Sequence, residues 1–406
     1  MLLPNIHMVT QLWGQHYIDL YTDFVIPTLL SPRNFPVFRD ATSVEYEIYT
    51  RSEDEARLAS HQNFKVLCEA LKGWANIKVN IIEGPIADPY ATMSACHRKA
   101  IEKADDNNAA LLFLQPDVLT GDGALETVKS QLLSQKRLVL APGFRGARED
   151  ITALIAKNHE DTFKSEGISS DKLIKYAVPY MHHISKSLVW GDEQINSYCS
   201  HLYWHIDAHN LYARCAHMHP LMVYPKNKKC GFDHTIDWDY FYRAVPDKED
   251  WFVANSSDQV CLIELSDRDK FAGDIVQVPA TYKTLAHFFV QAAQPEHIHL
   301  VQRPFFFQSK ELQDQDWQNY DQEASTLIAS ALKEMKRPLI AKLIRDPGYA
   351  IPLLVKSMRY INDRLGHFRQ KQPIIGSGAY FIYRSCFLIV REIYRTAGRL
   401  KRLAKI

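Results

Sequence analysis

Short apolar runs alternate with amphipathic stretches along the first third of the chain. Ile6–Leu12 (IHMVTQL) is a β-rich run ending at Trp13-Gly14, and Val44–Tyr49 (VEYEIY) and Ile77–Ile82 (IKVNII) repeat the pattern. β-Branched and aromatic residues suit a pleated strand. Ala109–Leu114 is apolar throughout with nothing alternating, which predicts a strand buried on both faces. Leu138–Ala141 adds another strand, closed by Pro142-Gly143. Between these runs, Tyr17, Leu20, Tyr21, Phe24 and Val25 fall at helical spacing, with Pro27 and Pro32 expected to break the helix. Ser52, ahead of Glu53, Asp54 and Glu55, predicts a capped helix start. Thr92–Ala104 and Ala124–Leu133 complete the alternation. Strand and helix in turn predict an α/β fold, a mostly parallel sheet flanked by helices, over residues 1–150. Right-handed crossovers would gather the strand ends, Thr10, Thr50, Glu83 and Asp117, near one crevice.

The texture then changes. Asp150 to about Ser187 reads as helical, with Leu154, Ile155, Phe163, Leu173 and Ile174 as core candidates. Trp190–Glu264 is rich in aromatics and histidine, with short β runs at Leu221–Tyr224 and Val260–Leu265. The expectation for 151–305 is a mixed α+β half folded against the first sheet. Past Pro304 the pattern is helical again, so 306–406 is expected as a helical C-terminal region. Its tail, Arg384–Lys405, carries seven basic groups against Glu392 alone, interleaved with apolar residues. Such a basic amphipathic segment suits an anionic membrane surface, or docks as an ordinary terminal helix.

Composition narrows the classes. Lys and Arg total 48 against 47 Asp and Glu, so no global field favours nucleic acid. Seven cysteines, an odd number without C-x-x-C spacing, argue against a disulfide framework or a zinc ribbon and favour a reducing cytosol. The start of the chain lacks a basic n-region and a small-residue cleavage site, and no run of about 18 apolar residues predicts a spanning helix. Phosphate-loop, dinucleotide, nucleophile-elbow and H-E-x-x-H signatures are all missing from the sequence.

Four polar constellations remain. Gln115-Pro116-Asp117 places a carboxylate at the end of the buried run, either to meet a hard cation or a sugar hydroxyl, or to cap the following turn. Asp122, in Gly121-Asp122-Gly123, reads as a turn residue. His217 and His219 share a face if extended, and Asp207 and His209 lie upstream, so the cluster suits a metal, phosphate or sugar oxygens, or a set of core-edge histidines. Asp237 and Asp239 share a face on the same assumption and suit a general base, with Trp238 and Tyr240 to stack on a sugar; a helix start capped by Thr235 or Asp237 is the other reading. Ser257 and Asp258, ahead of VCLIEL, are loop polar groups or binding groups.

A strand–helix sheet whose central strand, LLFLQPDVL, ends in an acid resembles the nucleotide-sugar-binding half of GT-A type glycosyltransferases. The likeness covers about residues 5–300 and implies transfer of a sugar from a nucleotide-sugar donor to a glycan or lipid-linked acceptor, as in bacterial surface polysaccharide assembly. Asp117 matches the last acid of the family's Asp-x-Asp-like motif. Gln115 stands where the first is expected, a departure that removes one negative charge from the site for a divalent cation (Mg or Mn). The implied donor-side residues are Thr10, Trp13, Thr50, Glu83, Arg98, Gln115, Asp117 and Arg145. Asp237 and Asp239 match the catalytic acceptor-side acids, Trp238, Tyr240, Ser257 and Asp258 the acceptor contacts, and His217 or His219 a late metal-ligating histidine beside Asp117. Arg145 and Arg148, or Arg98 and Lys99, are candidates to meet diphosphate charge if no metal binds. The basic tail is similar to those that hold bacterial glycosyltransferases at the inner membrane face, which implies a cytoplasmic, peripheral location. Two other readings stay open: a nucleotide- or carbohydrate-binding protein of the same fold without turnover, and a metal-dependent hydrolase using Asp207, His209, His217 and His219.

Overall fold

A computed structural model describes residues 3–336 apart from 85 and 160–162. The basic segment Arg384–Lys405 lies outside the described residues. Among the described residues, no helix is long and apolar enough to cross a membrane.

In chain order the first elements are β1 (Asn5–Gln11), α1 (Gln15–Leu20), α2 (Ile26–Leu29), β2 (Val44–Thr50), α3 (Ser52–Ser60), α4 (Gln62–Leu71) and β3 (Asn76–Ile81). Then come α5 (Pro89–Asp106), β4 (Ala109–Phe113), β5 (Val118–Thr120), α6 (Ala124–Leu133), β6 (Leu138–Ala141) and β7 (Phe144–Ala147). The expected strands form to within a residue at each end. Two local expectations fail. Pro27 does not break its helix: the turn Tyr21–Val25 widens to a π turn, and the chain continues as α2 with its missing donor absorbed there. Ser52 is not a cap, since Arg51 holds that position without a side-chain bond and Ser52 is the first helical residue.

The second half supplies α7 (Arg148–His159), α8 (Phe163–Glu166), α9 (Ser170–Ala177) and α10 (His183–Lys186). It continues with β8 (Gln194–Asn196), β9 (His201–His205), β10 (Leu211–Cys215), β11 (His219–Val223), α11 (Phe241–Ala244), β12 (Trp251–Val253), β13 (Leu262–Ser266), β14 (Gln277–Pro279) and β15 (Pro304–Phe307).

One seven-stranded sheet runs β12-β6-β11-β4-β1-β2-β3. Neighbours are parallel except around β11, which is antiparallel to both β4 and β6. The sheet therefore does not stop near residue 150: β11 and β12 from the mixed half enter it, β11 between the two apolar strands. Every residue of β4 and β6 is buried, which is why both read as unbroken apolar runs. A three-stranded sheet, β5-β13-β7, stands at the carboxyl end of β4, with β13 antiparallel to β5 and parallel to β7. Smaller sheets join β15-β10-β9 and β14-β8. These strands all belong to one compact unit, residues 1–280 with 294–326. Among the described residues, a second unit comprises 281–293 with 327–336, and its helix Tyr282–Ala292 begins with the Thr281 hydroxyl accepting from Thr284 N–H at 3.3 Å.

Candidate functional site

Strand order reverses between β1 and β4, both of which run the same way with helical crossovers leaving in opposite directions. Open α/β sheets bind ligands outside the carboxyl ends of such a pair, because the outgoing loops part there and leave a crevice. Leu12–Gly14 and Leu114–Asp117 are the two loops. Gly14 takes φ 79°, and its N–H donates to the Asp54 carboxylate at 2.7 Å, which fixes the turn after β1. Trp13 and Gln115 flank the crevice, both half-buried.

Asp117 sits where β4 hands the chain to β5. Its carbonyl accepts from Leu265 N–H at 2.7 Å, which ties it to β13 beside Glu264. Glu264 lies in register with Arg145 of β7, and their side chains pair at 2.8 Å. The Arg145 guanidinium also lies over the Phe271 ring at 4.9 Å. Phe271 has φ 65°, a left-handed conformation unusual for a bulky residue. Lys270 donates to the Tyr17 hydroxyl at 2.9 Å and, among the described residues, makes no ion pair. Burial first, and the charge of Glu264 second, push Asp117 up to about 7, against the opposing pull of Arg145 and Lys270. Burial raises Glu264 as well. Two acids so placed share protons as a pair, and together hold less than two negative charges near neutrality.

A second cluster touches β4 four residues earlier. His219 donates Nε2–H to the Phe113 carbonyl at 2.7 Å, and His97 packs edge-on against the Phe113 ring at 5.2 Å. Gln11, at the end of β1, bonds His97 Nε2 at 2.9 Å. His217 meets the Tyr198 hydroxyl at 3.3 Å and stacks near His297 at 4.4 Å and Trp238 at 5.4 Å. Asp237 stands among them half-buried, and its charge is felt at His97, His201, His219, His297 and Tyr198. Burial nonetheless wins and drives His97 and His201 down to about 3 and His297 to about 4, so these rings are neutral.

Several expected site residues lie elsewhere. Thr10 is fully buried and bonds the Tyr46 hydroxyl at 2.7 Å, part of a core relay continued by Tyr21. Thr50 is buried, and Glu83 is exposed beyond the end of β3. Arg98 lies over Phe232 at 4.6 Å, and Arg148 pairs with Asp267 and Glu149. Asp239 is 1% exposed and structural: it accepts from Asp233 N–H at 2.8 Å and pairs with Arg243 at 2.8 Å. Residues 236–240 form a π turn, and helical rotation sends residues two apart to opposite faces, which separates Asp237 from Asp239. Tyr240 packs in the core against Phe113 at 5.9 Å. Ser257 and Asp258 hold the turn onto Gln308. Asp122 is the turn residue expected, accepting from Arg33 N–H at 2.9 Å.

Asp207 and His209 serve the β9–β10 turn, where Asp207 accepts from Asn210 and pairs with Lys310. The whole of β10, roughly 16 Å of strand, separates that turn from the segment leading to His217. The four-residue hydrolase cluster is therefore not assembled. His219 already spends its Nε2 on a carbonyl. Among the described residues, no group of three or more His, Cys, Asp or Glu side chains is disposed to hold a metal ion.

Reading the sequence missed Glu264, Lys270, Tyr17, Tyr198, His97 and His297. Glu264 alone left a signal, as an acid inside the apolar run VCLIEL.

No family model matches the chain, and no curated protein matches it. Among solved structures, S. aureus TarS is similar at 11% identity and TM-score 0.24, over 35% of this chain and 22% of that one. A Bacillus anthracis protein assigned as a glucose-1-phosphate thymidylyltransferase, solved with sucrose, is similar at 14% identity and TM-score 0.19, over 36% of this chain and 57% of that one. Overlaps this limited leave function to be read from the site.

Proposed function

We propose that the chain is a glycosyltransferase of the GT-A type: it takes a nucleotide-sugar donor at the carboxyl ends of β1 and β4 and passes the sugar to a hydroxyl acceptor beside Asp237. One observation carries this reading. A charged cluster (Asp117, Glu264, Arg145, Lys270) and a carboxylate among imidazoles (Asp237) both abut the end of the same central strand. Donor and acceptor chemistry need two such sites side by side.

Departure of a nucleoside diphosphate develops negative charge, which Lys270 and Arg145 are placed to offset. Lys270 is available without breaking an ion pair, whereas Arg145 is already aligned by Glu264. Asp117, partly protonated near neutrality, either donates to or accepts from a sugar hydroxyl at the strand end. Asp237 accepts the acceptor's proton. Trp13 and Gln115 line the entrance. Among the described residues no group of three or more His, Cys, Asp or Glu side chains is disposed to hold a metal ion, and no step here is routed through one.

Release of nucleoside diphosphate from a panel of nucleotide sugars tests the reading. Wild type releases product with at least one donor, and Asp117→Ala abolishes that release while remaining folded. Wild-type turnover in Asp117→Ala would remove the proposal. Binding without release by the wild type would instead favour a non-catalytic protein, the reading that Gln115 keeps alive.

A further inference from the structure

We propose that a cavity beside the end of β7 binds hydrogen phosphate, an oxyanion that brings its own hydroxyl. The site is separate from the strand-end cluster and stands whether or not a sugar is transferred. The cavity holds about 140 Å³, and its walls include Asp150, Tyr180, Met181, His183, Lys186 and Arg268. An engineered cavity of about 150 Å³ takes a benzene ring, so a tetrahedral oxyanion fits. The walls are pinned to β7 by the backbone. Ala147 N–H donates to the Tyr180 carbonyl at 2.8 Å, His182 N–H to the Arg145 carbonyl at 2.8 Å, and Arg145 N–H to the Ser185 hydroxyl at 2.9 Å.

Charge points to an anion. The acids nearby already have partners: Asp150 pairs with Arg268 at 2.8 Å, Glu149 with Arg148 and the Arg268 N–H, and Asp267 with Arg148 and His16. Asp150 takes one guanidinium N–H of Arg268, and among the described residues the others are free. Lys186 is exposed and, among the described residues, makes no ion pair, so its charge is unmatched. The imidazole adds the second requirement. His183 donates Nδ1–H to the Arg268 carbonyl at 3.0 Å, which leaves Nε2 a lone-pair acceptor, buried and without a partner. His182, packed on that ring at 3.8 Å, is no donor to it: its Nε2–H goes to the Asp267 carbonyl at 3.0 Å and its Nδ1 accepts from Ile184 N–H at 3.3 Å. An acceptor left empty inside the fold is destabilising until a donor meets it. Hydrogen phosphate supplies both halves, oxygens for Lys186, Arg268 and the Tyr180 hydroxyl, and a P–OH for His183 Nε2. Sulfate matches its size and charge but has no hydroxyl.

The experiment titrates the full chain by calorimetry with inorganic phosphate, sulfate and methyl phosphate, at constant ionic strength because exposed charges are screened by salt. Near pH 8 all three are chiefly dianions, and phosphate alone among them carries a hydroxyl. Phosphate saturates one site and binds at least fivefold more tightly than either of the others. Lys186→Gln, a change at an exposed position, weakens phosphate at least fivefold. His183→Phe removes the preference over sulfate, with circular dichroism verifying the fold. Lys270→Ala, in the strand-end cluster, leaves phosphate affinity within twofold of wild type. Sulfate or methyl phosphate binding within twofold of phosphate would overturn the proposal, as would the absence of saturable binding. Phosphate affinity lost in Lys270→Ala but kept in Lys186→Gln would place the ion at the strand ends and overturn it equally.

Discussion

Replacing Asp117 by asparagine separates what that carboxyl costs the fold from what it does. Its pKa rises from 3.8 to about 7, chiefly through burial and then through Glu264. A carboxyl raised in this way holds its proton more tightly when folded than when unfolded. Its stabilising contribution is complete below pH 3.8 and is lost as pH rises through about 7. At about 1.4 kcal/mol per unit the full shift is worth at most about 4 kcal/mol. Asp117 is half-buried rather than sealed from water and faces Arg145 and Lys270, so screening reduces the observable share to roughly 1–2 kcal/mol. Asparagine is neutral throughout. Urea unfolding at pH 5 and pH 8.5 should therefore show Asp117→Asn gaining roughly 1–2 kcal/mol on wild type between the two, with donor turnover lost at both. Glu264→Gln should flatten the wild-type pH dependence, since it removes the like charge that couples to Asp117. An Asp117→Asn effect of equal size at both pH values would refute the shared-proton pair.

The two acids of the π turn should behave oppositely. Asp239→Ala strips partners from Asp233 N–H and Arg243 in a buried site and should cost about 2–4 kcal/mol in chemical denaturation, whereas Asp237→Asn should stay within about 0.5 kcal/mol of wild type while turnover falls at least about a hundredfold. Tyr46→Phe leaves the Thr10 and Tyr21 hydroxyls short of a buried partner and should cost about 1–2 kcal/mol without touching substrate affinity. A Cβ at Gly121 would come within 2.8 Å of Cys261 Cβ and 2.5 Å of Ser170 Oγ, so Gly121→Ala should lower stability by about 1–3 kcal/mol. His97, His201 and His297 stay neutral in the fold down to about pH 3–4 but take up protons when unfolded below about 6.5, so the melting midpoint should fall as pH drops from 6.5 to 4.5.

Whatever depended on local pattern was legible. β4 and β6 are buried on both faces, and their unbroken apolar runs located them to within a residue. The place of Asp117, as the first carboxylate past the central strand, was legible for the same reason. Sheet membership was not: nothing in His219–Val223 announces that it will run antiparallel between β4 and β6, because that pairing is decided by contacts more than 70 residues away. Glu264 and Lys270 reach Asp117 only through the β5-β13-β7 sheet, another long-range pairing. Asp237 and Asp239 share a face only in an extended chain, and the backbone there turns helically. The histidines fared unevenly. His217 packs beside His297, whereas Asp207 and His209, eight to ten residues upstream, lie across β10 from it.

The central claim, that phosphates are met at the carboxyl ends of β1 and β4, is tested most directly by the thermal midpoint of the full chain with nucleoside diphosphates. Saturation at a hundred times the dissociation constant stabilises the fold by about 2.7 kcal/mol, a shift of a few degrees. At least one nucleoside diphosphate should give that shift in wild type and lose it in Lys270→Ala. No shift with any of them, or an undiminished shift in Lys270→Ala, would contradict it.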